Sequence, residues 1–339
     1  MRHLDRQYSL TSTPRLVIHA GFPNCGGESI ERTLLQNFSE LRRSGVYLFD
    51  KNLRIAQQSA ALGKPPWNIE DARENAACLT RKLAEQIADN AGHDRQCIAI
   101  LSAGNLAGPQ LAELFTGLDR ELEVWLAFYV RPQSEWIISQ WMHRDLKKGT
   151  SLNQFVDECL DAGRPAFRKD IESWQEALPR ARLGVRFLIP ELLSGVDPAR
   201  DFLRLLGLPA DEYQIPNDNW DSALDVSILH ALSKNPQLFS GPDDNRLTRS
   251  LRAVLPKKFQ STNIRLLSAA HEKRIEEFFR EENLWLLKTF GTGMDVDQIY
   301  RRHFMMQEAE LRYSDMQEID LIYRCLGIIL ATAAGSSDS

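Results

Sequence analysis

Four short apolar runs, Leu16–Ala20, Cys97–Ser102, Val124–Val130 and Leu183–Ile189, constrain this chain most. Each is strand-length, and the first three are apolar enough to be buried on both faces, as strands of a parallel sheet are. The fourth carries Arg186 and fits that pattern least well. Segments with helical spacing lie between the runs: Ile30, Leu34 and Leu35 after the first, then Ala76, Leu79, Leu83 and Ile87, then Leu111, Leu114 and Phe115. Ile137 to Trp141 and Phe155 to Leu160 follow the third run. Strand and helix alternating in this way predict an α/β fold, a doubly wound parallel sheet. From Leu224 onward helical patterns dominate through Tyr323, which predicts a helical C-terminal cover. No internal repeat is present. The loops at Gly63–Trp67, Ile215–Asn219 and Ser240–Asp244 are too short to be interdomain linkers.

Composition narrows the functional classes. The chain has 339 residues, 43% hydrophobic and 26% charged, which excludes a collagen-like or largely disordered protein. A net charge of −5 argues against a general nucleic-acid coat. The five cysteines, Cys25, Cys78, Cys97, Cys159 and Cys325, are scattered and contain no Cys-x-x-Cys, so neither a disulfide framework nor a metal site is expected. That usage suits a reducing, cytoplasmic compartment. The N-terminal stretch lacks the apolar segment of a secretory signal. The run from Leu321 to Ala334 is too short to span a bilayer and is expected to pack as a helix on the body.

The strand Leu16–Ala20 runs into Gly21-Phe-Pro-Asn-Cys-Gly-Gly27 and then a helix beginning near Glu28 and Ser29. A strand, a glycine-rich turn and a helix N-terminus form an anion cradle, because unpaired amides converge there and the helix dipole adds about half a positive charge. The Walker Gly-Lys-Ser/Thr is absent, which disfavours a nucleotide kinase.

The stretch Ile18–Ser29, followed by Ser44-Gly-Val-Tyr47, resembles the opening of bacterial sulfotransferases that use 3′-phosphoadenosine 5′-phosphosulfate (PAPS). Their loop typically reads Gly-x-Pro-Lys-Thr-Gly-Thr-Thr-Ser. Tyr129-Val-Arg-Pro-Gln-Ser-Glu-Trp-Ile-Ile-Ser139 resembles the family segment whose Arg and Ser hold the 3′-phosphate. The likeness extends through Lys148-Gly149, Phe155, Trp174, Phe202 to Leu208 and Asn283 to Leu287, about residues 15 to 290. It implies a sheet of P-loop NTPase and sulfotransferase type in a domain over 15–290, with a helical extension over 291–334 and flexible ends at 1–14 and 335–339. It also implies sulfuryl transfer from PAPS to an acceptor hydroxyl, with carbohydrate among the candidate acceptors, and no metal.

By the same resemblance, Gly21, Pro23, Cys25, Gly26, Gly27, Glu28 and Ser29 hold the phosphosulfate, and Arg131 and Ser139 the 3′-phosphate. The catalytic lysine of the family corresponds to Asn24, and its two hydroxyl residues to Gly27 and Glu28. After the second run, Cys97–Ser102, the family often carries a Glu that serves as base, where this chain has Gly104 in Ser102-Ala-Gly-Asn-Leu106. His19, at the end of the first strand, and His143 are the remaining candidate bases, with a simply packed histidine as the alternative for His19. Arg32, Arg144, Lys147 and Lys148 could replace the missing cation. The alternative function is a catalytically inactive relative that binds a nucleotide, sugar or protein partner.

Three further features read as follows. Cys25 does not fit a Cys-x5-Arg phosphatase loop, because residue 31 is Glu and Arg32 is one position late. The basic residues from Arg246 to Arg265 alternate with Leu247, Leu251 and Leu255, the pattern of a solvated face on an amphipathic helix; the resemblance implies an alternative, basic residues that close over the nucleotide. Trp67, between loop residues, is a candidate acceptor contact.

Overall fold

A computed structural model describes residues 15–50, 53–58, 82–83, 85–87, 89, 97–193, 197–216, 224–255, 265–291, 293–306 and 312–335. Trp67, Cys78 and most of the segment from Ala76 to Ile87 lie outside the described residues.

Five strands form one all-parallel sheet: β1 (Arg15–Ala20), β2 (Val46–Leu48), β3 (Ile98–Ala103), β4 (Glu123–Val130) and β5 (Arg182–Phe187). Their order is β2-β3-β1-β4-β5. The fold is therefore α/β with a parallel sheet, an order compatible with double winding. The four apolar runs become β1, β3, β4 and β5 with ends shifted by one or two residues. Strand β2 is too short to stand out by hydrophobicity and appears only where Gly45 delivers the chain alongside β3.

Among the described residues, the helices of six or more residues are α1 (Gly27–Gln36), α2 (Phe38–Arg43), α3 (Gln133–Gln140), α4 (Leu152–Asp161), α5 (Phe167–Ala177), α6 (Pro198–Leu205), α7 (Val226–Ser233), α8 (Arg246–Val254), α9 (Ala269–Phe290), α10 (Val296–His303) and α11 (Glu318–Gly335). They sort with the strands into two compact units. One comprises Met1–Arg131, Ala166–Asn217 and Leu286–Gly293, the other Pro132–Pro165, Asp218–Trp285 and Met294–Ser339. Helix α4, which follows β4 in sequence, belongs to the second unit, where Asp157 on it takes a hydrogen bond from Arg274 on α9 at 2.6 Å.

The first unit contains the sheet. Every residue of β1 is buried, and so is every residue of β4 after Glu123. Helix α1 buries Ile30 and Leu34, one turn apart, but leaves Leu35 39% exposed, because the next residue along a helix points about 100° away. Helix α5 lays Trp174 on the sheet: its ring stacks on Phe115 at 5.3 Å, and its Nε1 donates to the Ala107 carbonyl at 3.0 Å. Arg186, the odd residue of the fourth run, explains itself in three dimensions. Its guanidinium makes two hydrogen bonds to the fully buried Asp201 of α6, which also accepts from Tyr129 Oη at 2.7 Å. Burial, followed by the Asp201 carboxylate, holds the Tyr129 hydroxyl well above the ordinary tyrosine range.

The second unit is helical among the described residues. Ser151 caps α4 by accepting from the Gln154 amide, and Phe155, Val156, Cys159 and Leu160 form the buried face. Asp225 caps α7 through the Ser227 amide and also takes Arg324 of α11 in a bidentate pair, Nε to Oδ1 at 3.0 Å and Nη2 to Oδ2 at 2.6 Å. That pair, with Leu321 and Ile328 buried, packs the C-terminal helix as the sequence predicts. No helix among the described residues is long and apolar enough to cross a membrane. Arg246 and Arg249 lie exposed on α8, with Leu247 and Leu251 half-buried, matching the amphipathic pattern.

Candidate functional site

Strand β1 is central, with β3 and β4 on either side, and the chain changes sides of the sheet beside it. Ligands bind outside the carboxyl ends of strands at such a switch point. The loop Gly21–Gly27 leaves β1 there.

Glycine at three positions shapes the loop by close approach. A Cβ on Gly21 would lie 2.7 Å from Gly104 Cα and 2.8 Å from the Ala103 carbonyl oxygen. A Cβ on Gly27 would lie 3.1 Å from the same Gly104 Cα. The exit of β3 thus rests directly on the loop, fixed by hydrogen bonds from Gly21 N to Ala103 O at 3.0 Å and from Ala107 N to Gly21 O at 3.2 Å. Phe22 is buried against Phe167 and Phe128, with ring centres 4.7 and 5.8 Å away. The loop then turns through two left-handed residues, Asn24 at φ 58° and the N-cap Gly26 at φ 79°. Asn tolerates this region better than Lys does, because its short side chain bonds locally.

Helix α1 has no side-chain cap at its N-terminus. The amides of its first turn have no intrahelical partner and carry the positive end of the dipole. Pro23 and Glu28 are exposed and Asn24 half-exposed, so the rim of the loop faces solvent. Cys25 and Gly26 face inward: Cys25 is fully buried, and a Cβ on Gly26 would lie 3.0 Å from Pro198. Ser29 is 5% exposed.

Charge at the loop departs from what its sequence suggests. Glu28 points outward and pairs with Arg32 at 2.6 Å, as an ordinary first-turn carboxylate. This contact does not support Glu28 as a ligand to the phosphosulfate and occupies Arg32. A cation does reach the loop from elsewhere. Arg131, immediately after β4, donates from Nη1 to the Asn24 carbonyl at 3.0 Å. The expected phosphate clamp is thus tied to the loop itself. Ser139, expected to share its work, belongs to the second unit, where it is 2% exposed and its hydroxyl has no partner among the described residues.

The other cation candidates are engaged in the second unit. Lys147 is buried and donates to the Pro242 carbonyl at 3.1 Å, burial pushing its pKa down; Lys148 pairs with Asp145 at 2.7 Å and Arg144 with Asp243 at 3.8 Å. His143 is half-buried in a widened π turn, Trp141–Asp145, that continues α3.

His19 has no exposed surface. Its Nδ1 lies 2.8 Å from Ser102 Oγ, while Nε2 has no hydrogen-bond partner among the described residues. Tyr129 and Phe202 flank the ring at 5.7 and 5.5 Å. A Cβ on Gly27 would lie 3.6 Å from its Cε1, so the imidazole sits beneath the first residue of α1. Burial lowers its pKa to about 4. A neutral imidazole of that acidity, closed from solvent, is a weak general base and a good neutral hydrogen-bonding support for the loop. A base role for His19 would require the site to open.

One carboxylate near the loop was not anticipated. Glu31 Oε1 accepts the Gly104 amide at 2.6 Å, so α1 delivers a carboxylate to the exit of β3. A contact spanning 73 residues leaves no local pattern in the sequence. No group of three or more His, Cys, Asp or Glu side chains suited to a metal is found among the described residues. No protein-family model matches the chain, and no curated protein matches it.

Proposed function

We propose that the loop Gly21–Ser29 binds the 5′-phosphosulfate of PAPS and that the chain transfers its sulfuryl group to an acceptor hydroxyl. The strand order β2-β3-β1-β4-β5, with the glycine-rich loop leaving the central strand, supports a P-loop and sulfotransferase type of sheet. The observation that carries the reading is the Arg131 guanidinium at the Asn24 carbonyl, which brings to the loop the positive charge that the sequence of the loop lacks. A unit charge about 4 Å from an anion is worth roughly 4 kcal/mol at an effective dielectric near 20. Glu28, turned outward onto Arg32, opposes a bound anion less than its position in the sequence suggests.

In the reaction, the acceptor oxygen bonds to sulfur as the bond from sulfur to the bridging phosphate oxygen breaks. Adenosine 3′,5′-bisphosphate leaves, and the acceptor proton passes to a base. The α1 amides and Arg131 would stabilise the charge on the transferring group and the leaving phosphate, as positioning and electrostatics do in phosphoryl transfer. Soluble, cytoplasmic action on a carbohydrate hydroxyl fits the same reading.

A second reading, nucleotide binding without transfer, is favoured by the closed, weakly basic His19. Titration calorimetry with adenosine 3′,5′-bisphosphate tests the cradle. Binding well below 1 mM is expected, and no heat at about that concentration overturns both nucleotide readings. Incubation of the ligand-free protein with PAPS and hydroxyl acceptors then separates them, since sulfated acceptor forms only with transfer.

A further inference from the structure

A cavity of about 190 Å³ lies in the second unit, bounded by the first turn of α3, by α9, and by α10 with the residues that follow it. That is room for a small molecule, many times the 10–15 Å³ that one water needs. Two of its lining residues carry polar groups in an unusual state. Gln133 and Asn283 are each 2% exposed, and Gln133 Nε2 and Asn283 Oδ1 have no hydrogen-bond partner among the described residues. Buried carboxamides are rarely left unpaired, because desolvation without a partner costs free energy. Two such groups on one cavity, from separate helices, can be satisfied by a ligand that brings hydrogen bonds.

Its chemistry follows from the lining. Nε2 needs an acceptor and Oδ1 a donor, and a hydroxyl serves as either. Three carboxylates, Glu135, Glu272 and Glu276, stand against the guanidiniums of Arg265 and Arg302, so an anion finds no excess of positive charge. Glu272 is further engaged by Arg312 at 3.1 Å, and Glu276 accepts the Met306 amide at 3.1 Å. Phe304 and Ile275 add apolar wall, suited to the C–H face of a ring. We infer that this cavity binds a neutral, hydroxyl-bearing ring of monosaccharide size, held by the Gln133 and Asn283 carboxamides. The site lies within the second unit and does not depend on the function assigned to the glycine loop.

Saturation-transfer NMR on the full chain, with D-glucose and myo-inositol as probes and adenosine as comparator, tests the assignment. At least one polyol is expected to bind with a dissociation constant below about 10 mM, and Gln133→Leu and Asn283→Leu to weaken it at least tenfold. If either leucine variant fails to fold, Gln133→Met and Asn283→Asp replace it; the first is expected to lose the affinity, and the second to keep it through its acceptor oxygen. Absence of polyol binding overturns the proposal. So does affinity unchanged in the variants, or adenosine binding where the polyols do not.

Discussion

Arg131 donates to the backbone carbonyl of Asn24 at 3.0 Å, joining the end of β4 to the turn that leaves β1. The contact gives the glycine loop a cation from a strand more than 100 residues away in sequence. A hydrogen bond from a charged donor contributes about 1.5–3 kcal/mol. Arg131→Ala should therefore weaken binding of adenosine 3′,5′-bisphosphate by about 10- to 100-fold, and Arg131→Lys by less. Calorimetry on the two variants checks this; equal affinity in Arg131→Ala and the parent protein removes Arg131 from the site.

Asn24 stands where the resembling family has Lys and adopts φ 58°. Asn24→Lys should cost about 1 kcal/mol in stability, the penalty for a left-handed residue without local hydrogen bonding. It should also tighten nucleotide binding, because a second cation joins Arg131. Chemical denaturation and calorimetry on the same variant read the two effects separately.

Gly21 and Gly104 are in backbone contact, with a Cβ on Gly21 calculated to lie 2.7 Å from Gly104 Cα. Backbone on both sides leaves little room to relax. Gly21→Ala should lose about 1–3 kcal/mol or more of stability, read as a lower denaturation midpoint. An unchanged midpoint would mean that the loop and β3 can separate freely.

His19 makes stability depend on acid. Its pKa is about 4 in the folded chain against an ordinary value near 6.5, so the folded state binds its proton less readily. Above pH 6.5 the ring is neutral in both states and contributes no pH dependence. As pH falls from 6.5 towards 4, the unfolded chain takes up the proton first, and roughly 3 kcal/mol of stability is lost. His19→Gln should flatten the denaturation free energy across that window. A slope that persists undiminished in the variant assigns the acid sensitivity to other groups.

Asp201 holds both Arg186 and Tyr129 with no exposed surface of its own. Asp201→Ala removes the buried carboxylate that accepts two hydrogen bonds from Arg186 and one from Tyr129, and removal of one member of a buried pair costs about 3–5 kcal/mol. Replacing both, as Arg186→Met with Asp201→Leu, should cost less than Asp201→Ala alone. Equilibrium unfolding of the single and double variants measures the difference.

Much of the fold was legible because its signals are local. The runs that became β1, β3 and β4 are continuous stretches of apolar side chain, and burial on both sheet faces demands that composition. The glycine loop was legible for a similar reason, since a strand, a turn and a helix start must follow one another in sequence to form a cradle. Strand β2 was not legible from hydrophobic pattern, of which three residues carry too little, and only the likeness at Ser44-Gly-Val-Tyr47 pointed to it. The two-unit division was not legible either, since Asp157 of α4 and its partner Arg274 of α9 in the second unit stand 117 residues apart.

By itself, the sequence determined the parallel α/β sheet, the glycine-rich turn after its central strand and the absence of a lysine in that turn. Only the tertiary structure decided where the charges act. It turned Glu28 onto Arg32, brought Arg131 to Asn24, set the Glu31 carboxylate on the Gly104 amide and enclosed His19 beside Ser102. Hydrophobic periodicity repeats along neighbouring residues and survives in one dimension. Electrostatic partnership depends on distances of about 3 Å across the fold, and only packing sets those.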